Sequence, residues 1–243
     1  MAPVRVVAFD LDDTLLRLSS DFVPRYLALL TEHLADHLPR VPNIAQALRD
    51  TTKALMAKPG DAEWLQDFFY RDIGHRLNLG RDVLEPAMQN FFETRFQELQ
   101  VWARPVYGVL GLLARLKEHG YRLVLLTSAL FPAVAIDQRL AWAGLDGVHW
   151  DWRTAFENVH ATKPQVAYYR EAAAAVGIDP QYWLMVGNDL DEDIRPAHAA
   201  GMAVYWVQDR ALFPKTPLWL PDDAPRGLVH QVPRYLDAID AIS

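Results

Sequence analysis

The chain of 243 residues contains no cysteine. That removes a disulfide framework, a thiolate zinc site and a cysteine nucleophile together, and it suits a reducing cytosol. Basic charge is also in short supply: 24 Lys and Arg stand against 31 Asp and Glu, a formal charge of −7 with a pI near 5.6. An acidic balance argues against nucleic acid or an acidic membrane surface as a partner. Long apolar runs are missing too. The run over residues 4–9 stops at an aspartate, too short for a signal-peptide core or a membrane span, so a cytoplasmic location without a membrane partner is expected. No P-loop, dinucleotide GxGxxG or GxSxG elbow occurs.

What is present is an ordinary globular balance, 51% hydrophobic and 23% charged, which excludes disorder and collagen-like repeats. Residues 4–9 are apolar apart from Arg5 and are followed by Asp10-Leu11-Asp12-Asp13-Thr14, the pattern of a strand buried on both faces. From about Ser19 to Gln100 apolar residues recur at spacings of three and four, with Pro39, Pro42, Pro59, Gly60 and Gly80 as breaks. This predicts four helices, with Ser20 or Asp21, Asn43, Asp61 and Asp82 placed to cap them.

Beyond Pro105 the pattern alternates. It predicts helices over 106–119, 133–143 and 165–176 and one ending at Gly201. Strands are expected over 121–126, 148–152, 183–186 and 203–207, and a last helix over 232–242. Alternation of this kind implies an α/β fold, a doubly wound parallel sheet. The sheet domain would comprise residues 1–17 and 101–243, with an all-helical unit, 18–100, inserted after the first strand. Ligands of such sheets bind beyond the carboxyl ends of the strands, where Asp10, Asp12, Thr127 and the 188–193 cluster fall.

Asp10 to Asp13 alone could be a polar turn after a strand. Three later segments, in order, change the weight: Thr127 after a second apolar strand, then Lys163-Pro164, then Gly187-Asn188-Asp189 with Asp193. Together with Phe9-Asp10-Leu11-Asp12-Asp13-Thr14-Leu15, these segments resemble the four ordered motifs of the haloacid dehalogenase-like hydrolase superfamily, the first of which reads DxDxT after a hydrophobic strand. The resemblance covers about residues 1–17 and 101–210. The helical unit matches only in its placement, where one class of the family carries its cap.

The resemblance implies a Mg2+-dependent phosphohydrolase acting on a small phosphorylated metabolite. Asp10 would attack phosphorus to give an aspartyl phosphate, and Asp12 would protonate the leaving oxygen and later activate water. Lys163 would supply positive charge, and Thr127 and Ser128 would bind the phosphate oxygens. Mg2+ would be held by Asp10, the backbone carbonyl of Asp12 and either Asn188, favoured by alignment on the glycine, or Asp189, favoured by charge. Asp193 would stand behind them, orienting Lys163 or a water.

Two features depart from the commonest form: Thr-Ser-Ala where many members have Asn near Ala129, and Gly-Asn-Asp in place of Gly-Asp. A phosphomutase with the same motifs and a non-catalytic binding or regulatory protein on the same fold are the alternatives; Asp12 argues against a dehalogenase. Asp191 and Glu192 read as an acidic first helical turn. His33 and His37 have the spacing of a zinc pair but lack HExxH, and read as an ordinary helix face. Residues 208–243 carry no evident chemistry.

Overall fold

The computed structural model describes residues 3–38, 40–208 and 225–240. The first strand, β1 (Val6–Phe9), is wholly buried. After a tight turn the chain forms β2 (Leu16–Leu18) and enters the helices α1 (Phe22–His37), α2 (Ile44–Ala57), α3 (Leu65–Leu77) and α4 (Arg81–Thr94). A 3-10 helix, Phe96–Trp102, and β3 (Ala103–Pro105) bring it back. The remainder runs α5 (Val109–Glu118), β4 (Arg122–Leu125), α6 (Ala133–Trp142), β5 (Trp152–Arg153), α7 (Val166–Val176) and β6 (Trp183–Gly187). A π-type turn, Leu190–Ile194, then leads into α8 (Arg195–Ala199), β7 (Ala203–Val207), β8 (Arg226–Gly227) and α9 (Val232–Asp240).

Six strands form one sheet in the order β5-β4-β1-β6-β7-β8, and every pairing is parallel. β1 lies between β4 and β6, with Phe9 opposite Leu125 on one side and Val186 on the other. Connections leave in both directions from this point, so loops at the carboxyl ends of β1, β4 and β6 border one crevice. The continuous apolar sequence of these strands follows from burial on both faces. Among the described residues no helix is long and apolar enough to cross a membrane.

Several local readings need correction. α3 begins after Trp64, not Asp61, whose carboxylate is taken by Lys58. α4 begins after Gly80, with Asp82 in its first turn, where a negative charge suits the helix dipole. Asp21 and Asn43 do precede α1 and α2, but neither side chain makes the capping bond. The helix expected from residue 106 starts at Val109, because Gly108 takes a left-handed φ of 80°. The strand expected over 148–152 is reduced to Trp152–Arg153. At Asp151 the backbone N–H still donates to Leu123 O at 2.8 Å, but Leu123 N donates at 2.9 Å to the Asp151 carboxylate, which also pairs with Lys117 and Arg122, so a side chain takes one of the ladder's acceptor positions. The β2–β3 ribbon was not expected, and of the predicted final helix the residues beyond Asp240 lie outside the described residues.

The core continues without a break from the sheet into the helices. Phe96 is the hinge of that continuity: fully buried, it stacks on Trp142 of α6 at 5.3 Å and meets Phe131 at 5.9 Å, Tyr26 at 6.0 Å and Phe92 at 5.4 Å. Backbone bonds add to it, Leu65 N to Val159 O at 3.0 Å and Gln66 N to Phe156 O at 3.1 Å. The Lys58 ammonium, buried beside Asp61, donates to the carbonyls of Glu63 at 2.8 Å and His160 at 3.1 Å.

Because Phe96 joins the helices to the sheet domain and no rearrangement of the surrounding aromatic rings can refill its volume, Phe96→Ala is expected to cost about 3–5 kcal/mol. Urea denaturation followed by circular dichroism measures this; a loss below about 1 kcal/mol would show that the ring is not a structural joint.

Candidate active site

Asp10 sits one residue beyond β1, and its backbone N–H donates to Val186 O of β6 at 2.9 Å. The next turn is set by Leu11, whose carbonyl accepts from Thr14, Leu15 and Leu16, and by Asp13, which takes φ of 57° and accepts from Leu18 N at 3.1 Å. Asx side chains tolerate this left-handed conformation and stabilise it locally. The result holds the Asp10 and Asp12 carboxylates at the mouth of the crevice, Asp10 buried and the Asp12 side chain 36% exposed.

Lys163 lies on the loop before α7 with its ammonium buried. It donates to Asp10 Oδ1 at 2.7 Å and to Asp193 Oδ1 at 2.5 Å. Burial works against the lysine's charge, but Asp10 and Asp193 outweigh it and hold the ammonium well above its ordinary range. Burial pushes the Asp193 carboxyl up to about 7, against the pull of Lys163. The short contacts to two carboxylates favour a charged lysine. Asp193 reaches this place because Gly187 has no side chain: a Cβ at 187 would collide with the Asp193 carboxyl. Its other oxygen accepts from Asp189 N at 3.0 Å.

Asn188 and Asp189 are separated clearly by what they touch. Asp189 caps the π-type turn, its Oδ1 accepting from Asp191 N and Glu192 N at 2.8 Å each. Asn188 faces the crevice. With its nitrogen turned to its neighbours, the carboxamide donates to the Asp12 carbonyl at 2.9 Å, to Thr14 Oγ1 at 3.1 Å and to Asp10 Oδ2 at 3.3 Å.

Thr127 follows Leu126 at the end of β4, and its hydroxyl is buried without a partner. Its loop is held by groups that sequence reasoning missed. Thr154 Oγ1 accepts from Thr127 N at 3.1 Å, Tyr168 OH donates to Thr127 O at 2.7 Å, and Thr162 Oγ1 accepts from Ala129 N at 2.9 Å. Ser128 donates to Glu192 Oε2 at 3.1 Å. Glu192 does stand in the acidic first turn of Leu190–Ile194, but its side chain points inward to Ser128, and burial pushes its carboxyl up.

Arg139 is the larger omission. It is fully buried on α6, pairs with the Asp12 carboxylate, and lies 4.8 Å over the Phe131 ring. Burial lowers it to about 10, and two of its nitrogens, Nε and Nη1, have no partner. A basic residue a dozen positions beyond the second motif gives no sequence signal, since helices commonly carry arginine on their surface. His33 and His37 are used otherwise: His33 Nε2 meets Ala87 O at 3.1 Å, His37 Nδ1 meets His33 O at 2.8 Å, and the rings stack at 4.0 Å.

Among the described residues no three His, Cys, Asp or Glu side chains are grouped to hold a metal. A cation at this crevice would instead meet a mixed oxygen set of Asp10 Oδ2, the Asp12 carbonyl and the Asn188 carboxamide. The donors of Asn188 already lie against the other two, so the positive end of one dipole occupies ground that suits a hard cation.

Comparison with known proteins bears on the family and the fold. A family model described as haloacid dehalogenase-like hydrolase matches residues 4–201. The chain is 28% identical to N-acetylmuramic acid 6-phosphate phosphatase of Pseudomonas aeruginosa, over 96% of either protein. It is 30% identical to glyceraldehyde 3-phosphate phosphatase of Methanopyrus kandleri, over 52% of this chain and only 51% of that one. The crystal structure of a 2-haloacid dehalogenase from Pseudomonas syringae superposes with a TM-score of 0.67 at 22% identity, covering 97% of this chain and 99% of the other, a likeness of fold.

Removing the cation between two buried carboxylates leaves charge without compensation. Lys163→Met is therefore expected to cost about 3–5 kcal/mol at pH 7.5. Without the ammonium, nothing opposes the burial that raises the Asp193 carboxyl, so the folded variant binds protons more readily than the unfolded chain and regains stability as pH falls. Urea midpoints at pH 7.5 and 5.0 should show a smaller cost at pH 5.0; equal costs would mean that the lysine acts by packing alone.

Proposed function

Because the chain belongs to the haloacid dehalogenase-like hydrolases, we propose that it is a Mg2+-dependent phosphohydrolase working through an aspartyl phosphate. The observation that carries this reading is the arrangement around Asp10. One of its oxygens is held by Lys163, while the other lies beside the Asp12 carbonyl and the Asn188 carboxamide. Relatives named as phosphatases of glyceraldehyde 3-phosphate, N-acetylmuramic acid 6-phosphate and phosphoserine support a phosphomonoester as substrate.

In the first half-reaction an Asp10 carboxylate oxygen forms a bond to phosphorus as the bond from phosphorus to the alcohol oxygen breaks. The Asp12 proton passes to that leaving oxygen. In the second, water attacks phosphorus, Asp12 takes its proton, and Asp10 is released with inorganic phosphate. Asp12 is paired with Arg139 as the carboxylate, so it must turn from the guanidinium and take up a proton from solvent before it can pass one to the leaving oxygen. The Thr127 hydroxyl has no other partner, leaving its proton free for a phosphate oxygen, and Lys163 is already fixed beside the nucleophile. Asp10, the Asp12 carbonyl and Asn188 would hold the metal, while Asp189 is committed to its turn. When bound, Mg2+ offsets the charge on phosphate and nucleophile. The unit 18–100 is the cap that closes this site over the substrate.

Asp10→Asn should abolish turnover without loss of fold, and acid-quenched wild-type enzyme should carry phosphate on Asp10; label on Ser, Thr or His would refute the mechanism. Asn188→Ala should raise the Mg2+ concentration for half activity about tenfold or more, the loss of roughly 1.4 kcal/mol of ligand binding. Asp189→Ala should instead lower stability by about 1 kcal/mol through loss of its cap. The reverse pattern, seen in Mg2+ titrations and thermal melts, would make Asp189 the ligand.

A further inference from the structure

A cavity of about 570 Å3 lies between the helices α1 to α4 and the loop after β4, a size suited to a small molecule. Its walls are mainly apolar, with Leu30, Leu55, Met88 and Phe131 among them, joined by Tyr26 and Tyr70. The cavity adjoins the phosphate-binding end of the crevice. Leu130, on its floor, donates its N–H to Ser128 O at 2.8 Å, and the Phe131 ring lies under the Arg139 guanidinium that pairs with Asp12. On the far side, the carbonyl of the lining residue Met56 accepts from Gln165, two residues beyond Lys163, at 3.4 Å. The Arg139 guanidinium thus touches both the Asp12 carboxylate and a ring of the cavity wall.

The two phenols are unusual in it. Tyr70 is only 6% exposed, and the Tyr26 ring is packed among Phe91, Phe92, Phe96 and Phe131. Neither hydroxyl has a hydrogen-bond partner among the described residues. Burial pushes both hydroxyls up, so both stay protonated. Both residues line the cavity, so an oxygen on a bound molecule can take the place of water at either hydroxyl.

The basic groups of the lining, Arg49 and Lys53, are exposed at the rim and so stay solvated, and Glu85 is paired there with Arg81. We propose that the alcohol part of the substrate is bulky and mostly apolar, an aryl or branched alkyl group bearing one oxygen that Tyr26 and Tyr70 bind, and that these phenols set selectivity. The assignment rests on the phosphohydrolase reading.

Two esters of primary alcohols, 2-naphthylmethyl phosphate and its 6-hydroxy derivative, are compared with glucose 6-phosphate in the presence of Mg2+, so that leaving-group reactivity is similar throughout. The hydroxynaphthyl ester should exceed glucose 6-phosphate in kcat/KM by about 100-fold and the plain naphthyl ester by about tenfold, the worth of one good hydrogen bond. In Tyr26→Phe and Tyr70→Phe the ratio between the two naphthyl esters should fall toward one, and Met88→Trp, which fills the cavity, should raise KM for both more than it lowers kcat. Calorimetry with 6-hydroxy-2-naphthylmethanol, without phosphate or metal, reads the cavity independently of chemistry, and Met88→Trp should weaken that binding. Preference for glucose 6-phosphate with no binding of the alcohol would overturn the inference and leave the phosphohydrolase reading standing. Binding of the alcohol with no ester hydrolysed would overturn the phosphohydrolase reading, and the substrate assignment with it.

Discussion

One lysine held between two aspartates, inside a core with few other charges, is the constraint to which the rest of this molecule conforms. Lys163, Asp10 and Asp193 are each at least 94% buried, and no pair of them would be stable there without the third. The sheet order makes the meeting possible: β1 and β6 are neighbours running parallel, so Asp10 after one and the 188–193 segment after the other emerge at the same edge. Gly187 then lets the Asp193 carboxyl close against the backbone at the end of β6. Propensity alone would not select these residues; the need to bring three charges into contact within an apolar sheet does.

The loop that presents Lys163 also ties the molecule together. Within residues 154–162, Thr154 and Thr162 hold the backbone after β4, while the carbonyls of Phe156, Val159 and His160 hold α3 and Lys58. Trp64 adds a stack on His160 at 3.8 Å. The helical segment and the phosphate-facing loop thus share one short stretch of backbone as their common support. A displacement of α3 would act within a few residues of both Thr127 and Lys163, and under the proposed function it would couple closure over a substrate to the placement of the groups that receive its phosphate.

The fold was legible where burial dictates composition. The strands VVAF, RLVL and WLMVG are apolar because helices cover both faces of the sheet, and the four helices of 18–100 declare themselves by their spacing. Legibility failed where side chains enter the backbone ladder: the Asp151 carboxylate takes an acceptor position in an expected strand, and the three-residue strands of the β2–β3 ribbon are too short to carry a pattern. In the crevice, the residues named from sequence were those with order and motif behind them. Arg139, Thr154, Tyr168 and the inward face of Glu192 were missed because each arrives from a helix or loop whose local sequence is ordinary, and only the tertiary arrangement gives them a partner.

The charge balance of the crevice explains why an amide at 188 suits this chain. A carboxylate there would lie near Asp10 Oδ2, which the Asn188 nitrogen approaches at 3.3 Å, and the nearest ammonium is already engaged by Asp10 and Asp193. Three carboxylates around one lysine would repel one another until a cation arrived, whereas the amide donates to two of the oxygens and lets the site assemble beforehand. The same choice weakens the electrostatic hold on a dication, since Asp10 becomes the one carboxylate among the three donors proposed for it. On the proposed reading, the phosphate of a bound substrate would supply the missing negative charge, and metal and substrate would favour one another's binding. Glu192, which accepts from Ser128 on the Thr127 loop, has its carboxyl pushed up by burial against the pull of Lys163 and the Ser128 hydroxyl.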